Sequence, residues 1–412
     1  MFFKSSSVVL GATLLVSSAV QADCRVSDVT GTVGILGNEF PAIQSVVADA
    51  SECASDALSV SSNLTKEHRD LQVPALTADP SEYSSAIVAN SSITALMNDN
   101  LIRPLNEYVE KYGAGISDTQ KIVVDGNVMA IAFMANAQHL MYRKDILEQI
   151  GMEPPATYED MITAAAAIKE QSLMEYPLTG TYKSGWNLGE EFVNMYMGYD
   201  GELFKPGSAE PSLQNDKAVA ALNMMKSLTE YMNPDFLTFD STAAAAEFEQ
   251  GKAAIMNMWG SRAGSLLDEE GAVEGVAENI GFAAAPTVGG GSTPASTLWW
   301  DGFTIAKNVS DEDAEATFQI LAGSLNADMA NTNGDDAVWL IDGYVPTATD
   351  EGVLATAQAN AKPYPMLPYI GLMHTALGDE LVEFLQGSES AEKALEDVEA
   401  AYITAAKEGG FL

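Results

Sequence analysis

Short apolar runs of strand length alternate with amphipathic segments of helical length along most of this chain. GTVGILG at 31–37 has the character of a strand, and FPAIQSVVADAS at 40–51 has apolar residues at helical spacing. Both kinds of segment recur later in the chain, where the helical segment 158–172 precedes a strand-like run at 278–288. Such alternation predicts an α/β protein. A length of 412 residues with 47% hydrophobic residues predicts two domains rather than one.

The N-terminus has the features of an export signal. Lys4 precedes the apolar run VVLGATLLV at 8–16, and small residues end at Ala22. We therefore predict a signal peptide over 1–22, cleaved near Ala22, and an exported, soluble protein. The only cysteines of the sequence are Cys24 and Cys53, and an even number in an exported chain predicts a disulfide between them.

The charge is strongly acidic, with 58 Asp and Glu residues against 20 Lys and Arg residues. This balance excludes a nucleic-acid partner, which requires a basic surface. Anionic membrane surfaces are poor partners for the same reason. The acidic residues are spread throughout the chain, which favours a solvated acidic surface over an acidic functional patch.

Motifs for catalysis, metal binding and cofactor binding are missing from the sequence. The three histidines, His68, His139 and His374, have no metal-ligand spacing with one another or with a cysteine. Neither a GxSxG motif nor a P-loop nor a dinucleotide fingerprint is present. The adjacent Glu190 and Glu191 could form a glycosidase pair, but in so acidic a chain they carry little weight. We expect no catalytic residue, no metal and no cofactor.

Polar and aromatic residues follow several predicted strands, where ligands bind in open α/β sheets. The residues at these strand ends are Asn38, Glu39, Asn90, Asn136, Asn257, Trp259, Trp299, Trp300 and Asp301. Asparagine and carboxylate groups suit the hydroxyls of a sugar, and indole faces suit its apolar C–H face. On a strand, Trp299 and Asp301 point to one side and Trp300 to the other, unless a bulge at Gly302 reverses this. Both tryptophans filling a core, and Asn38 serving only as a turn residue, are the alternatives.

Four segments resemble the extracellular solute-binding proteins of ABC importers, in the sugar-binding group similar to maltose-binding protein. They are HLMYRKDILEQIGMEPPATYEDM (139–161), FEQGKAAIMNMWGS (248–261), FTIAKNVSDEDAEATFQILAG (303–323) and YVPT (344–347). The resemblance covers nearly all of the chain after the signal peptide, and the first two segments are the most specific.

The resemblance implies a two-lobed α/β fold of the periplasmic-binding-protein type, with hinge crossovers and a ligand cleft between the lobes. The implied crossings lie near 132–138, 290–299 and 340–347, with the C-terminal helices returning mainly to the second lobe. Lobe 1 is then formed by 23–134 and 300–342, and lobe 2 by 135–299 and 343–412.

The resemblance also implies the site and the function. The positions at the cleft are matched by Asn136, Trp186, Trp259, Trp299, Trp300 and Asp301. Tyr369 matches a C-terminal aromatic region, although a core or loop role fits Tyr369 equally well. The implied protein is a periplasmic monomer that binds a neutral sugar, oligosaccharide or sugar alcohol and delivers it to the permease subunits of an ABC importer. A binding protein for a quaternary-ammonium or other osmolyte, and a secreted carbohydrate-active enzyme, are the alternatives. Arg262 is the one basic candidate for an anionic ligand.

Overall fold

The computed structural model describes residues 24–268 and 272–412. The predicted signal peptide and its cleavage point lie outside these residues. The strands are β1 (Gly31–Gly37), β2 (Leu58–Leu64), β3 (Ser85–Ala89), β4 (Lys121–Val124), β5 (Asn127–Asn136), β6 (Gln138–Arg143), β7 (Leu178–Thr179), β8 (Ile255–Trp259), β9 (Ile280–Ala283), β10 (Thr297–Phe303), β11 (Val338–Trp339) and β12 (Lys362–Pro363).

Helices surround these strands. They are α1 (Pro41–Ser51), α2 (His68–Thr77), α3 (Ile93–Asn98), α4 (Asn106–Tyr112), α5 (Lys144–Ile150), α6 (Tyr158–Glu170), α7 (Trp186–Gly198), α8 (Asp216–Thr229), α9 (Ser241–Glu249), α10 (Ala263–Leu266), α11 (Asp311–Ser324), α12 (Ala327–Thr332), α13 (Glu351–Gln358), α14 (Ile370–Glu380), α15 (Val382–Gln386) and α16 (Ala391–Glu408). The predicted α/β class is confirmed.

The strands form two sheets, each with its own core. The larger sheet has the order β11-β5-β10-β3-β1-β2, with β4 paired to β5 and β12 paired to β10. The smaller sheet has the order β7-β8-β6-β9. Helices α14 and α16 at the C-terminal end pack with α7 and α8 in the hydrophobic core beside the smaller sheet. The fold is therefore the two-lobed α/β arrangement predicted from the resemblance.

The chain passes between the sheets where the sequence predicts it. Strand β5 of the larger sheet ends at Asn136 and β6 of the smaller sheet begins at Gln138, so the first passage is at Ala137. The chain returns with β10, which pairs antiparallel with β5 and β3. We propose that lobe 1 is formed by 23–134 and 300–342 and that lobe 2 is formed by 135–299 and 343–412.

Local sequence signals explain several element boundaries. Thr157 accepts a hydrogen bond from the backbone N–H of Asp160 and caps α6. Pro104 lies between α3 and α4 and separates them. Asp125 and Gly126, both with positive φ, form the turn between the antiparallel strands β4 and β5.

One local prediction is wrong in its extent. The strand predicted over 278–288 extends only over Ile280–Ala283 in the structure. Nearby, the Ser261 hydroxyl oxygen accepts a hydrogen bond from the Asn136 amide, and the N-cap residue of α10 makes no side-chain cap hydrogen bond.

The disulfide between Cys24 and Cys53 is present and ties the start of the described chain to the end of α1. Its sequence separation of 29 residues closes a loop that includes β1. In the described part of the chain, every helix is too short or too polar to cross a membrane.

Candidate functional site

Strand β10 presents its two tryptophans to different cores. Trp299 lies opposite Asn136 of β5, is 5% exposed and belongs to the core beside the smaller sheet. Trp300 packs instead with a separate cluster that includes Val88 and Ile93. The β-bulge lies between Asp301 and Gly302, after the aromatic pair, so alternation keeps Asp301 on the side of Trp299. The Trp300 side chain therefore points to the opposite face of the sheet, as strand alternation predicts, and its part in ligand binding stays a prediction.

Three indoles meet beside Asp301 and form what we call the indole cluster: Trp186, Trp259 and Trp299. Trp186 begins α7 and Trp259 ends β8, so both belong to elements on the side of the smaller sheet. Their rings are stacked with centroids 6.3 Å apart, and each meets the Trp299 ring edge-on at 5.6 Å. The cluster therefore connects β10 of the larger sheet with the elements around the smaller sheet.

Tyr364 and His374 support the indole cluster from behind. The Tyr364 ring lies 4.3 Å from that of Trp299, and the His374 ring stacks on Trp186 at 4.9 Å. Burial lowers the pKa of His374 to about 4, so the imidazole is neutral at pH 7. Its Nε2 lies 2.7 Å from the Trp186 carbonyl oxygen, which can only accept, so Nε2 carries the proton and Nδ1 accepts from the Tyr364 hydroxyl at 2.7 Å. These bonds fix the orientation of the imidazole ring that stacks on Trp186.

Arg69 brings a positive charge to the cluster from the other lobe. It lies in the first turn of α2, and its guanidinium carbon is 4.1 Å from the centroid of the Trp186 ring. Its Nε is buried and has no hydrogen-bond partner among the described residues. Burial lowers the pKa of Arg69 below its usual value, and the nearby Asp301 carboxylate acts in the opposite direction. The sequence analysis missed Arg69, because Arg69 follows no strand directly. It named Arg262 instead.

Asp301 is the acidic counterpart of Arg69. Burial raises the pKa of the Asp301 carboxyl to about 7, and the positive charge of Arg69 only partly offsets this. Arg69 and Asp301 therefore interact electrostatically beside β10. Asp301 can therefore carry either a carboxylate or a protonated carboxyl near neutral pH, and both forms hydrogen-bond to hydroxyl groups.

Glu190 lies on the other side of Trp299. Its Oε1 accepts hydrogen bonds from the Thr297 hydroxyl at 2.8 Å and from Trp299 Nε1 at 3.2 Å, and its Oε2 has no partner among the described residues. Burial raises the pKa of Glu190 well above its ordinary value. Glu190 therefore holds the Trp299 indole in place and leaves one oxygen without a partner.

Asn90 also reaches this region from the end of β3. Its amide nitrogen donates to the Leu298 carbonyl oxygen at 3.1 Å, while its buried Oδ1 has no partner within 24–268 and 272–412. In the same part of the chain, the buried hydroxyl of the adjacent Ser91 has no partner either. Because buried polar atoms are normally hydrogen-bonded, these atoms beside the aromatic cluster are typical of a site that a polar ligand completes.

Asn136 and Asn257 serve internal networks in the structure. Asn136 donates to the Ser261 hydroxyl at 3.1 Å and accepts from the backbone N–H groups of Ala137 and Ser261, which fixes the passage between the sheets. Asn257 donates to Gln138 Oε1 at 3.2 Å between two buried strands. Their polar groups hold the lobes' connection together.

The other predicted residues make contacts of their own. Asn38 Oδ1 accepts from the backbone N–H of Glu39, as the turn alternative predicts, and the exposed Glu39 lies 3.8 Å from Lys66. The Tyr369 hydroxyl donates to the Ser208 carbonyl oxygen at 2.9 Å and its ring packs edge-on against Phe204, which is the loop and core role. Trp186, Trp259, Trp299, Asp301 and Asn90 are the predicted residues that the structure brings together.

The chain belongs to the family of bacterial extracellular solute-binding proteins, whose sequence profile matches residues 64–323. A probable ABC transporter-binding protein of Deinococcus radiodurans is 29% identical over 198 residues, which are 46% of this chain and 45% of that protein. The chain thus spans less than half the length of this relative. A mannitol-binding protein of Pseudomonas aeruginosa is 25% identical over 318 residues, covering 70% of this chain and 71% of that protein.

Solved structures share the fold at low sequence identity. An ABC transporter solute-binding protein of Agrobacterium radiobacter K84 in complex with ribitol has a TM-score of 0.79 and 18% identity, over 90% of this chain and 98% of that one. A solute-binding protein of Agrobacterium vitis S4 with bound D-mannitol has a TM-score of 0.74 and 18% identity, over 92% and 99% of the two chains. A maltose-bound protein of T. maritima has a TM-score of 0.79 and 17% identity, over 91% and 99%.

Proposed function

We propose that this protein is the periplasmic binding component of an ABC importer and that it captures a neutral sugar, oligosaccharide or sugar alcohol between its lobes. It then delivers this ligand to the membrane permease. The observation that carries the proposal is the indole cluster together with buried polar atoms that have no hydrogen-bond partner in the part of the chain that the structure describes, namely Arg69 Nε, Asn90 Oδ1, Ser91 Oγ and Glu190 Oε2. Family membership and the mannitol-binding relative support the same ligand class.

The chemistry of this arrangement suits polyhydroxylated molecules. Indole faces bury the C–H face of a sugar or the carbon chain of a polyol, while hydroxyls can both donate and accept. Asp301 accepts from hydroxyls and Arg69 donates to them. Burial of the ligand between two lobes is the usual consequence of hinge closure in this type of fold.

The geometry disfavours the quaternary-ammonium alternative. An aromatic cage needs a free indole face within about 6 Å of the cation. Here the Arg69 guanidinium already lies 4.1 Å from the Trp186 centroid, where such a cation would have to sit. A second cation at this position would be repelled by Arg69.

The proposal includes no chemical reaction on the ligand. Glu190 is bonded to Thr297 and Trp299, so one of its oxygens serves the architecture of the site. We propose that the protein works as a monomer, without a cofactor or a nucleic-acid partner. Ligand recovered unchanged after long incubation is the expected result, and cleavage or oxidation would favour the secreted enzyme.

Isothermal titration calorimetry on the purified mature protein tests the ligand class. The panel contains D-mannitol, ribitol, D-glucitol, maltose and maltotriose, with glycine betaine as the quaternary-ammonium probe. We expect at least one sugar or polyol to bind in the micromolar range or tighter, at about −8 kcal/mol or below, and betaine not to bind. Binding of betaine alone would contradict the proposal.

A further inference from the structure

Arg69 connects the two lobes at the candidate site. It lies on α2, which follows β2 of the larger sheet. Its aromatic partner Trp186 begins α7, which packs beside the smaller sheet. Arginine is scarce in this chain, since Lys and Arg together number only 20. A guanidinium placed against the indole cluster is therefore unusual for the composition and calls for a partner.

The hydrogen-bonding needs of Arg69 are not met by the protein. A guanidinium has five N–H donors in a planar fork, and a buried donor without an acceptor costs about 1–3 kcal/mol. The buried Nε of Arg69 has no acceptor among the described residues. The indole contact satisfies the positive charge in part but offers no oxygen lone pair. A bound molecule with acceptor oxygens can supply the missing hydrogen bond to Nε.

The surrounding charges decide which oxygens these are. Asp301 and Glu190 both act electrostatically on Arg69, and both carboxyls lie at the same site. A carboxylate or phosphate ligand would match the guanidinium fork but would meet the Asp301 carboxyl, which is partly ionised near pH 7. A hydroxyl can accept from Arg69 and donate to Asp301 at the same time, with no charge of its own.

We propose that Arg69 and Asp301 act together as the specificity-determining pair of the site, which selects neutral ligands with neighbouring hydroxyls and rejects the corresponding acids. This inference rests on the proposed function and deepens it. Arg69 donates from its fork to ligand oxygens, and Asp301 accepts from the hydroxyl protons. Because Arg69 is held against Trp186 of the opposite lobe, the same contact links ligand recognition to closure of the lobes.

Matched pairs of ligands test the selectivity directly. D-Mannitol and D-mannonate, D-glucitol and D-gluconate, and maltose and maltobionate each differ by oxidation of one terminal carbon to a carboxylate. Calorimetry should show that wild type binds the preferred neutral compound at least about tenfold more tightly than its acid. Asp301→Asn should weaken binding of the neutral compound and narrow this ratio, because the repelling charge is gone.

Variants of Arg69 test the second half of the pair. Arg69→Gln should weaken binding of the same neutral compound by about 10- to 100-fold, the effect of losing hydrogen bonds from a charged donor. Arg69→Lys keeps the charge but not the planar fork, so it should restore little of the affinity. Arg25→Gln is the matched control, because Arg25 is half-exposed and pairs with Asp328 away from the indole cluster. Its affinity should equal that of wild type.

The outcomes separate the two proposals. If wild type binds a neutral compound and Arg69→Gln binds it within roughly twofold of wild type, the inference about Arg69 is wrong and the proposed function stands. Tighter binding of the acid by wild type also overturns the inference. If wild type binds none of the panel, both proposals fail. Melting curves without ligand confirm that each variant is folded; if Arg69→Gln is not, the charge-preserving Arg69→Lys carries the test.

Discussion

Replacement of Trp299 by alanine is expected to destabilise the protein even without ligand. Trp299 is 5% exposed, its ring contacts Trp186, Trp259 and Tyr364, and its Nε1 donates to the Thr297 hydroxyl at 2.8 Å and to Glu190 at 3.2 Å. Truncation of a buried tryptophan costs about 3–5 kcal/mol through lost burial and the cavity left behind. This is a large part of a typical unfolding free energy of about 5–15 kcal/mol.

The structure changes what the sequence led us to expect for this variant. A cleft-lining Trp299 predicts weak binding and near wild-type melting for Trp299→Ala, whereas a core role predicts unfolding. The structure places Trp299 in the core and in the indole cluster at once, so we expect loss of both stability and affinity. Trp299→Phe keeps most of the ring volume but loses the N–H, and we expect about 1–2 kcal/mol, the cost of leaving the buried acceptors short of a donor.

Urea denaturation followed by far-ultraviolet circular dichroism measures these differences without depending on indole fluorescence. Trp339→Ala is the matched control. Trp339 lies in β11 of the larger sheet, is 4% exposed, and its Nε1 donates to the Asn333 carbonyl oxygen at 2.9 Å. It should lose similar stability while ligand affinity in the folded protein stays unchanged. If Trp299→Ala unfolds within about 1 kcal/mol of wild type but loses its ligand, the packing argument is refuted and Trp299 serves the ligand alone.

Three further predictions concern the disulfide, pH and salt. Cys53→Ser should lower the free energy of unfolding by about 3–4 kcal/mol in the chain-entropy treatment, as measured in urea; equal stability with and without reductant in wild type would contradict this. The pKa of Asp301 is about 7 in the folded protein against 3.8 for the ordinary group, so the protonated form favours folding. Its contribution is complete below about pH 4 and is lost as the pH rises through 7; the stability of wild type relative to Asp301→Asn should therefore fall between about pH 4 and pH 7 in urea titrations without ligand. A constant difference would show that Asp301 titrates normally. With a formal net charge of −38, the melting temperature in calorimetry should rise as NaCl increases from about 0.05 M to about 1 M, because screening weakens the self-repulsion. A melting temperature that falls over this range would show that ion pairs outweigh the repulsion.

The sequence by itself determined the class of fold and much of its layout. Strand-like and helical runs differ in the period of their apolar residues, and this local signal gave the α/β class. The resemblance of the sequence to solute-binding proteins implied the passage near Ala137. Composition and position gave the disulfide, since two cysteines in an exported chain have only one pairing. Alternation along β10 placed Trp299 and Trp300 on different faces, because side chains of a strand alternate whatever lies around them.

Only the tertiary structure decided which residues form the site. Arg69, Glu190, Tyr364 and His374 meet at one place although they lie as much as 305 residues apart, and no local pattern marks any of them. Asn136 looks like a ligand residue at a strand end, but the backbone N–H groups of Ala137 and Ser261 bind its side-chain oxygen first. The physical reason is that hydrogen-bond saturation and burial depend on atoms brought together from distant parts of the chain, whereas the sequence specifies only each residue's own chemistry and its periodic neighbours.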